Sequence, residues 1–278
     1  MIDRVCASRE SPLRLKCQKE NAMAGLSESD RARYHRQMII PGLGEEGQLR
    51  LRRTKVGVLG AGGLGCSILM HLTAAGFGTI ILADKDTVEL GNLNRQLLHW
   101  QRDIGQSKAQ SACEKLRELN PEVEIVCHDR DVDSRNISGI FQEVDGLMDG
   151  LDNFPDRYIA NEFAVKRRIP FFHGAVWGLE GRAATIIPGK TPCFRCIYPQ
   201  SPPREIPPVL GTTPALIAAI QVTEAVKHFA GIGEVLAGEV LFYDGSSMTF
   251  LKARVERNPD CPVCGGIVSS SSITPRTA

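Results

Sequence analysis

The chain has 278 residues, with 33 lysines and arginines against 32 aspartates and glutamates. This length suits one large α/β domain, and the near-zero net charge gives no field that would favour nucleic acid or an anionic membrane. The sequence has no apolar run long enough to cross a membrane, and its first 25 residues lack the apolar stretch of a signal peptide. We therefore expect a cytoplasmic protein that binds neither nucleic acid nor a membrane.

The N-terminal segment of the chain shows neither the helical nor the strand periodicity of apolar residues. Residues 1–25 are polar, and we predict a disordered extension. Ser27 followed by Asp30 is typical of a capping box at the start of a short polar helix. The apolar run 55–60, a glycine turn, a helix that stops near Gly76 and a second apolar run at 79–84 then predict a βαβ unit.

Helices and strands continue to alternate along the middle of the chain. The predicted order is helix 107–120, strand 123–129, short helix 137–143, strand 145–150 and helix 155–168. This alternation predicts a Rossmann-like, doubly wound, mostly parallel sheet.

The pattern changes after about residue 180. The segments 181–189 and 238–256 resemble antiparallel strands, and a proline-rich loop and a long apolar helix at 215–230 separate them. We predict an antiparallel C-terminal lobe on the same core, so that the ordered domain spans residues 26–266. The polar tail 267–278 is predicted to be disordered.

A glycine pattern indicates a nucleotide site. Gly60, Gly62 and Gly65 form G-x-G-x-x-G between a predicted strand and a helix, and Asp84 ends the next strand 19 residues later. The glycines permit a tight turn and bring backbone N–H groups close to phosphates, while the acid accepts hydrogen bonds from ribose hydroxyls. This pattern predicts nucleotide binding but leaves the nucleotide open.

Further residues indicate a polyphosphate. Asn92 and Arg95 lie in GNLNRQ, and Lys108 lies in the first turn of a helix that Ser107 caps. The helix dipole disfavours a cation at the start of a helix. A polyphosphate bound there would explain the presence of the lysine; a solvated surface lysine is the alternative. Asp152 ends a strand and could hold magnesium or, alternatively, cap the next helix. Together these residues fit ATP better than NAD.

Several motifs follow one another from about residue 26 to residue 266. They read RYHRQ, GVLGAGGLG, NLNRQ, GQSKAQSA, DGLDNFPDRY, PCFRC and CPVCG. In this order and spacing they resemble the ThiF/MoeB/HesA family, bacterial relatives of ubiquitin-activating enzymes. The resemblance implies adenylation, with ATP, of the C-terminal glycine carboxylate of a small ubiquitin-like sulfur carrier that ends in Gly-Gly. Pyrophosphate is the other product.

The resemblance also implies roles for single residues. Asp84 would bind the ribose, Asn92, Arg95 and Lys108 would contact phosphates, and Asp152 would bind magnesium. It implies a homodimer in which Arg36 reaches the ATP of the partner subunit. The residues that act in catalysis would then be Arg95, Lys108, Asp152 and Arg36, because two anions must meet and their repulsion must be offset.

Four of the nine cysteines form two C-x-x-C pairs, Cys193 with Cys196 and Cys261 with Cys264. Four thiolates in a reducing compartment are the ligand set of a closed structural zinc site. A redox-active pair is the alternative, but it usually begins a helix, whereas the neighbouring prolines indicate turns here. The other five cysteines are scattered, and we expect them to be structural or incidental.

Two further hypotheses belong beside adenylation. Many family members carry a cysteine in the loop before the long apolar helix, yet residues 199–214 contain none, so the sequence offers no residue there for a thioester step. A nucleotide-binding scaffold without activity therefore stays open, as does an NAD-dependent oxidoreductase. The six histidines are dispersed, and we assign them no catalytic role.

Overall fold

The computed structural model describes residues 25–203 and 207–266. Within these ranges the chain forms one eight-stranded sheet. Its strands are β1 (Lys55–Leu59), β2 (Thr79–Asp84), β3 (Glu124–Asp129), β4 (Gly146–Asp149), β5 (Phe171–Trp177), β6 (Glu180–Ile186), β7 (Glu239–Asp244) and β8 (Thr249–Arg254). The disorder predicted for 1–25 and 267–278 concerns segments that lie, except for Gly25, outside the described residues.

Helices cover both faces of this sheet. They are α1 (Glu28–Met38), α2 (Gly44–Arg53), α3 (Gly63–Ala75), α4 (Lys108–Leu119), α5 (Ile137–Ile140), α6 (Phe154–Arg167), α7 (Phe194–Ile197) and α8 (Thr212–Ala230). Two short 3-10 turns span Leu90–Asn92 and Gln101–Asp103. None of the helices in the described ranges is long and apolar enough to cross a membrane.

The sheet has a parallel half and an antiparallel half. Its strand order is β3-β2-β1-β4-β5-β6-β7-β8. Neighbours from β3 to β5 run parallel, and neighbours from β5 to β8 run antiparallel. The predicted doubly wound, mostly parallel architecture with antiparallel C-terminal strands is confirmed. The antiparallel strands, however, continue the same sheet instead of forming a separate layer.

Strand β5 joins the two halves, and the sequence analysis did not predict it. Its inner residues are buried, and it pairs parallel with β4 on one side and antiparallel with β6 on the other. The long helix α8 covers this junction and packs against α3, β5 and β6. A side chain at Gly174 would meet the Gln221 amide of α8, so glycine lets this helix approach the sheet closely.

The structure tests two local predictions, the capping box at Ser27 and the role of the cysteines outside the two C-x-x-C pairs. The capping box is confirmed, since Ser27 Oγ accepts from the N–H of Asp30 and the Asp30 carboxylate accepts from the N–H of Ser27. Two of the five remaining cysteines, which we expected to be structural or incidental, lie together in the fold. Cys113 on α4 and Cys127 on β3 lie side by side, with Cα atoms 6.5 Å apart. The fold brings them together although 14 residues separate them in the chain.

Candidate functional site: two adjoining cavities

A cavity of about 440 Å³ lies where the parallel strands β1, β2 and β4 end. Its wall includes the glycine turn after β1, Asp84 at the end of β2 and residues 150–153 after β4. Open α/β sheets bind ligands at this edge, because the turns there expose backbone groups. The structure thus brings two of the predicted glycines, Gly60 and Gly62, to one cavity with Asp84, Arg95, Lys108 and Asp152.

The structure gives a separate explanation for the glycine at each of the three positions in the turn. Gly60 has φ +91°, and a Cβ atom there would lie 2.8 Å from the carbonyl oxygen of Gly150. A Cβ atom on Gly65 would collide with the carbonyl oxygen of Gly60, so helix α3 packs against the turn only with glycine at this place. At Gly62, by contrast, the nearest atom to a Cβ is Gln96 Nε2 at 3.9 Å, so this turn has open space in front of it.

Asp84 fixes the turn and still faces the cavity. Its Oδ2 accepts from the N–H of Ala61 at 2.7 Å, and its Oδ1 accepts from the N–H of Asp86 at 2.8 Å. Burial raises the pKa of this carboxyl group, although both hydrogen bonds oppose that effect. Hydroxyl donors of a ribose would supply further hydrogen bonds to the same oxygens, as the predicted role requires.

A buried chain of hydrogen bonds holds the same turn from the other side. His99 Nε2 lies 3.0 Å from the carbonyl oxygen of Ala61, and His99 Nδ1 lies 2.9 Å from Ser111 Oγ. Lys115 Nζ donates to Ser111 Oγ at 2.9 Å and to Asp103 at 2.5 Å. Because burial lowers the pKa of His99, the ring is neutral, with one nitrogen donating and the other accepting. The backbone of Ala61 is therefore held by hydrogen bonds at both its N–H and its C=O.

The predicted cations line this cavity but already have partners. Lys108 begins α4 behind its Ser107 cap, as predicted, and its Nζ lies 3.0 Å from Asp86 Oδ2. Arg95 donates from one nitrogen to the carbonyl oxygen of Gly91 at 2.8 Å and to Asn94 at 3.0 Å. Lys108 is buried, which disfavours the solvated surface lysine that we considered.

Two predicted site residues are not brought to the cavity. Among the described residues that line it, neither Asn92 nor Arg36 is present. Asn92 Oδ1 accepts from the N–H of Glu89 at 3.0 Å and closes its own 3-10 turn. Arg36 lies exposed in the last turn of α1. Their roles at a nucleotide stay predictions.

Asp152 lies exposed at the edge of the cavity. The alternative that it caps α6 is wrong, because Asn153 is the N-cap and its Oδ1 accepts from the N–H of Asp156 at 3.0 Å. One Asp152 oxygen accepts from Asn153 Nδ2 at 3.2 Å, which leaves carboxylate lone pairs toward the cavity. A single carboxylate beside a phosphate site fits magnesium, which keeps most of its coordination sphere for water and phosphate oxygens.

A larger cavity of about 1070 Å³ adjoins the first. The two share wall residues that include Asp152, Asn153, Asp156 and Arg157. The larger cavity extends along β5 and β6 past His173, Trp177, Glu180 and Arg182 toward Pro202 and Pro203. Trp177 is 46% exposed and lines this cavity.

A buried charge cluster lies at the floor of the larger cavity. Asp149 Oδ2 accepts from Arg157 Nε at 2.9 Å and from His173 Nδ1 at 2.6 Å. Burial alone would raise the pKa of Asp149, but the Arg157 guanidinium and the His173 hydrogen bond hold it below its ordinary value. The carboxylate is therefore ionised and fully paired beneath the cavity.

The four cysteines of the two C-x-x-C pairs converge. Their sulfur atoms all lie within 4.8 Å of one another, with Cys193 and Cys261 at 3.7 Å and Cys196 and Cys264 at 3.5 Å. Sulfur ligands about 2.3 Å from a tetrahedral zinc ion are roughly 3.8 Å apart, so the set fits zinc. One premise of the sequence analysis is wrong: Cys193 is the N-cap of the four-residue helix α7 and does not lie in a turn.

Comparison with known proteins gives the family of the chain. Residues 34–263 match the model of the ThiF family. The chain belongs to the ThiF family. The resemblance that the motifs indicated is thereby confirmed.

The curated relatives of this ThiF family member include adenylyltransferases. It is 42% identical to the SAMP-activating enzyme E1 of Haloferax volcanii over 84% of its own length and 88% of that protein. It is likewise 42% identical to the sulfur carrier protein adenylyltransferase of Thermus thermophilus, over 84% and 90% of the two chains. The match to adenylyltransferase and sulfurtransferase MOCS3 of Drosophila ananassae, at 43% identity, covers 86% of this chain but only 54% of that protein.

Solved structures share the fold. The complex of Escherichia coli MccB with ATP aligns with a TM-score of 0.77 at 23% identity, over 91% of this chain and 80% of that one. MccB in complex with N-formylated MccA aligns with a TM-score of 0.78, over 91% and 81%. These structures confirm the expected fold, and the names of the curated relatives confirm the expected class, an adenylyltransferase.

The sequence analysis missed two residues of this ThiF family site. His99 and His173 were assigned no role, because neither belongs to a recognised spacing of ligands or catalytic groups. A signal for His173 exists in retrospect: Asp149 ends one strand, and HGA at 173–175 lies in the next strand along the sheet. That signal needed β5 to be recognised as a strand.

Proposed function

We propose that this ThiF family protein uses ATP to adenylate the C-terminal glycine carboxylate of a small ubiquitin-like sulfur carrier, with release of pyrophosphate. The observation that carries the proposal is the junction of the two cavities at Asp152. The smaller cavity has the glycine turn, the ribose acceptor and the cations of a nucleotide site. The larger one opens from the same junction and has room for an extended peptide tail.

The chemistry accounts for the charged residues. An oxygen of the carrier carboxylate attacks the α-phosphorus of ATP, a new oxygen–phosphorus bond forms, and the bond to the leaving pyrophosphate breaks. Two anions approach each other in this step, so Lys108 and Arg95 would offset the repulsion and stabilise the charge on pyrophosphate. The reaction needs no general base, because the attacking carboxylate is already ionised at neutral pH.

Two metal ions belong to this proposal. Asp152 would hold magnesium next to the phosphates, and the ion would supply charge neutralisation there. The four cysteines would hold zinc as a closed structural site, which fixes residues 261–264 to α7. With four protein ligands no coordination position is open for a reacting group.

We also propose a homodimer and a cytoplasmic location. Arg36 lies on the exposed face of α1 and lines neither described cavity of its own subunit, so a role at ATP requires a second subunit. The four converging thiols suit a compartment that keeps cysteines reduced.

The proposed reaction ends at the adenylate. The only cysteine that follows the glycine turn closely, Cys66, is buried in α3, and burial raises the pKa of its thiol to about 12. It is therefore a core residue and a poor nucleophile. The chain also spans about half of MOCS3, whose name includes a sulfurtransferase.

The test is ATP–pyrophosphate exchange with magnesium, using purified ubiquitin-fold proteins from the same source that end in Gly-Gly. We expect exchange that disappears when the terminal glycine is deleted from the carrier. Arg95→Ala and Asp152→Ala should abolish exchange, while the folded protein keeps its cooperative melting transition. ATP binding without exchange for every such carrier would instead favour the nucleotide-binding scaffold, and a thermal shift with NAD alone would favour the oxidoreductase.

A further inference from the structure

His173 carries a buried nitrogen that the proposed chemistry does not use. The residue is 1% exposed and lines the larger cavity. Its Nδ1 lies 2.6 Å from Asp149 Oδ2. Its Nε2 has no hydrogen-bond partner among residues 25–203 and 207–266. A buried polar atom without a partner costs free energy, so it suggests a group that arrives with a ligand.

The neighbours of His173 decide which group can arrive. Asp149 is ionised and accepts from Arg157 Nε and from the N–H of Leu151, so the His173 Nδ1 must donate to it. Burial lowers the pKa of His173 more than Asp149 raises it, and the ring is neutral. The single ring proton therefore lies on Nδ1, and Nε2 has a lone pair. What this nitrogen lacks is a hydrogen-bond donor.

Among the described residues, no surrounding side chain donates to this nitrogen. Arg157 uses its Nε for Asp149 and another nitrogen for the carbonyl oxygens of Leu151 and Gly174. The Tyr198 ring packs edge-on against His173 with centroids 5.6 Å apart and its oxygen accepts from Arg182, but its hydroxyl makes no hydrogen bond to His173 Nε2 in the structure. The remaining charged wall residue on this strand pair, Glu180, carries carboxyl oxygens, which are hydrogen-bond acceptors.

A tail that ends in two glycines offers a suitable donor. Glycine has no side chain, so an enzyme can recognise Gly-Gly only by its small size and by its backbone N–H and C=O groups. The carboxylate of such a tail has to reach the phosphates at the cavity junction. The amide groups of the last residues must then lie in the adjoining cavity that His173 lines.

We propose that His173 Nε2 accepts a hydrogen bond from the backbone N–H of one of the last two glycines of the substrate. This proposal rests on the proposed function and deepens it, because it names the group that reads the tail. His173 is a substrate-contacting residue that sets specificity, and Asp149 is a positioning residue that fixes the tautomer of its ring. The pair selects a peptide tail over a tail that lacks the amide hydrogen.

The experiment combines one variant with one change in the substrate. In His173→Asn the side-chain amide takes the place of the ring Nδ1 and keeps a donor for Asp149, but nothing replaces Nε2. Two semisynthetic carriers replace, one at a time, the N–H of the terminal and of the penultimate glycine by an ester oxygen. The readout is the KM for each carrier in ATP–pyrophosphate exchange.

With the native enzyme we expect one of the two ester carriers to show a KM raised about tenfold, which corresponds to one lost hydrogen bond. With His173→Asn, the same ester and its amide parent should show equal KM values, both close to that of the native enzyme with the ester. A role in folding alone would weaken both carriers alike and leave the ester effect in place.

The other outcomes of this experiment separate a failure of the proposed role of His173 from a failure of the proposed function. Exchange with the native amide carrier, but with neither ester weaker, overturns the role of His173 and leaves the proposed function intact. An ester effect of the same size in both enzymes overturns it as well. The absence of glycine-dependent exchange with the unmodified enzyme overturns the proposed function itself. Should His173→Asn not fold, ¹⁵N-histidine NMR of the native enzyme with ATP and the amide or ester carrier decides: the His173 Nε2 resonance must move with the amide only.

Discussion

The Nζ of Lys108 lies 3.0 Å from Oδ2 of Asp86, so the ammonium group at the start of α4 reaches the nucleotide cavity with a carboxylate already beside it. The lysine side chain is 8% exposed and that of Asp86 is 57% exposed. Asp86 thus compensates a cation that burial and the helix dipole both disfavour. The same lysine is free to exchange this solvent-facing partner for a phosphate.

Removal of the Asp86 carboxylate should make the stability of the protein depend more on bound ATP. We expect Asp86→Asn to lower the free energy of unfolding by about 1 kcal/mol, since the pair is partly solvated. ATP with magnesium should then raise Tm more in the variant than in the native protein, because phosphate restores a counter-charge to Lys108. The measurement is thermal unfolding with and without ATP. Glu45→Gln on α2, which breaks an exposed pair with Arg31 on α1, is the control. An equal or smaller ATP shift in Asp86→Asn would contradict the exchange of partners.

The glycine turn allows a matched pair of substitutions. Gly65→Ala places a methyl group against the Gly60 carbonyl, and we expect a loss of about 3 kcal/mol or more in the free energy of unfolding. Gly62→Ala places the methyl in open space, so stability should change little. In the proposed function, however, phosphates approach the backbone there, so ATP binding should weaken about tenfold or more. Urea denaturation and calorimetric titration with ATP separate the two effects, and unchanged ATP affinity in Gly62→Ala would place the phosphates elsewhere.

The sequence allowed prediction of most of the fold and of the nucleotide turn, because both depend on local patterns. The positions of Gly60, Gly65 and Asp84 follow from spacing along the chain. Strand β5 escaped because its residues carry no alternation, and buried strands cannot be told from other apolar segments by period. The His173 environment depends on neighbours that three separate elements supply. Likewise, no local pattern shows whether Asn92 faces a ligand or caps its own turn.

The zinc site should contribute to stability rather than to catalysis. We expect about one zinc per chain by elemental analysis, and Cys264→Ala should lose it. Because the four thiolates tie residues 261–264 to α7, loss of the metal should lower Tm by about 10 °C. Cys66→Ala is the matched control: it also removes a buried thiol but should retain the zinc. Full zinc occupancy in Cys264→Ala would contradict the four-cysteine site.

The proposed role of Arg36 in the partner's site predicts complementation. Arg36→Ala and Asp152→Ala should each be inactive in exchange. When the two are unfolded and refolded together, half of the dimers are mixed, and each mixed dimer has one site with both residues intact. About a quarter of the native activity should then return. Activity that stays at zero after verified mixing, or an active monomer at all concentrations, would rule out a site shared between subunits.

Acidification should destabilise the protein through its buried histidines. Burial lowers the pKa of His228, whose ring packs against Phe172 and Phe229 and which also feels Lys190 and Glu224. A histidine with a lowered folded pKa contributes stability that is present above about pH 6.5 and is lost as the pH falls through the folded value. Each such group changes the free energy of unfolding by at most about 1.4 kcal/mol per pH unit in that window. His228→Phe removes one of these groups while it keeps the ring contacts. Urea denaturation from pH 7.5 to pH 5 should therefore show a shallower loss of stability for the variant than for the native protein, whereas parallel curves would mean that His228 has the same pKa in the folded and unfolded states.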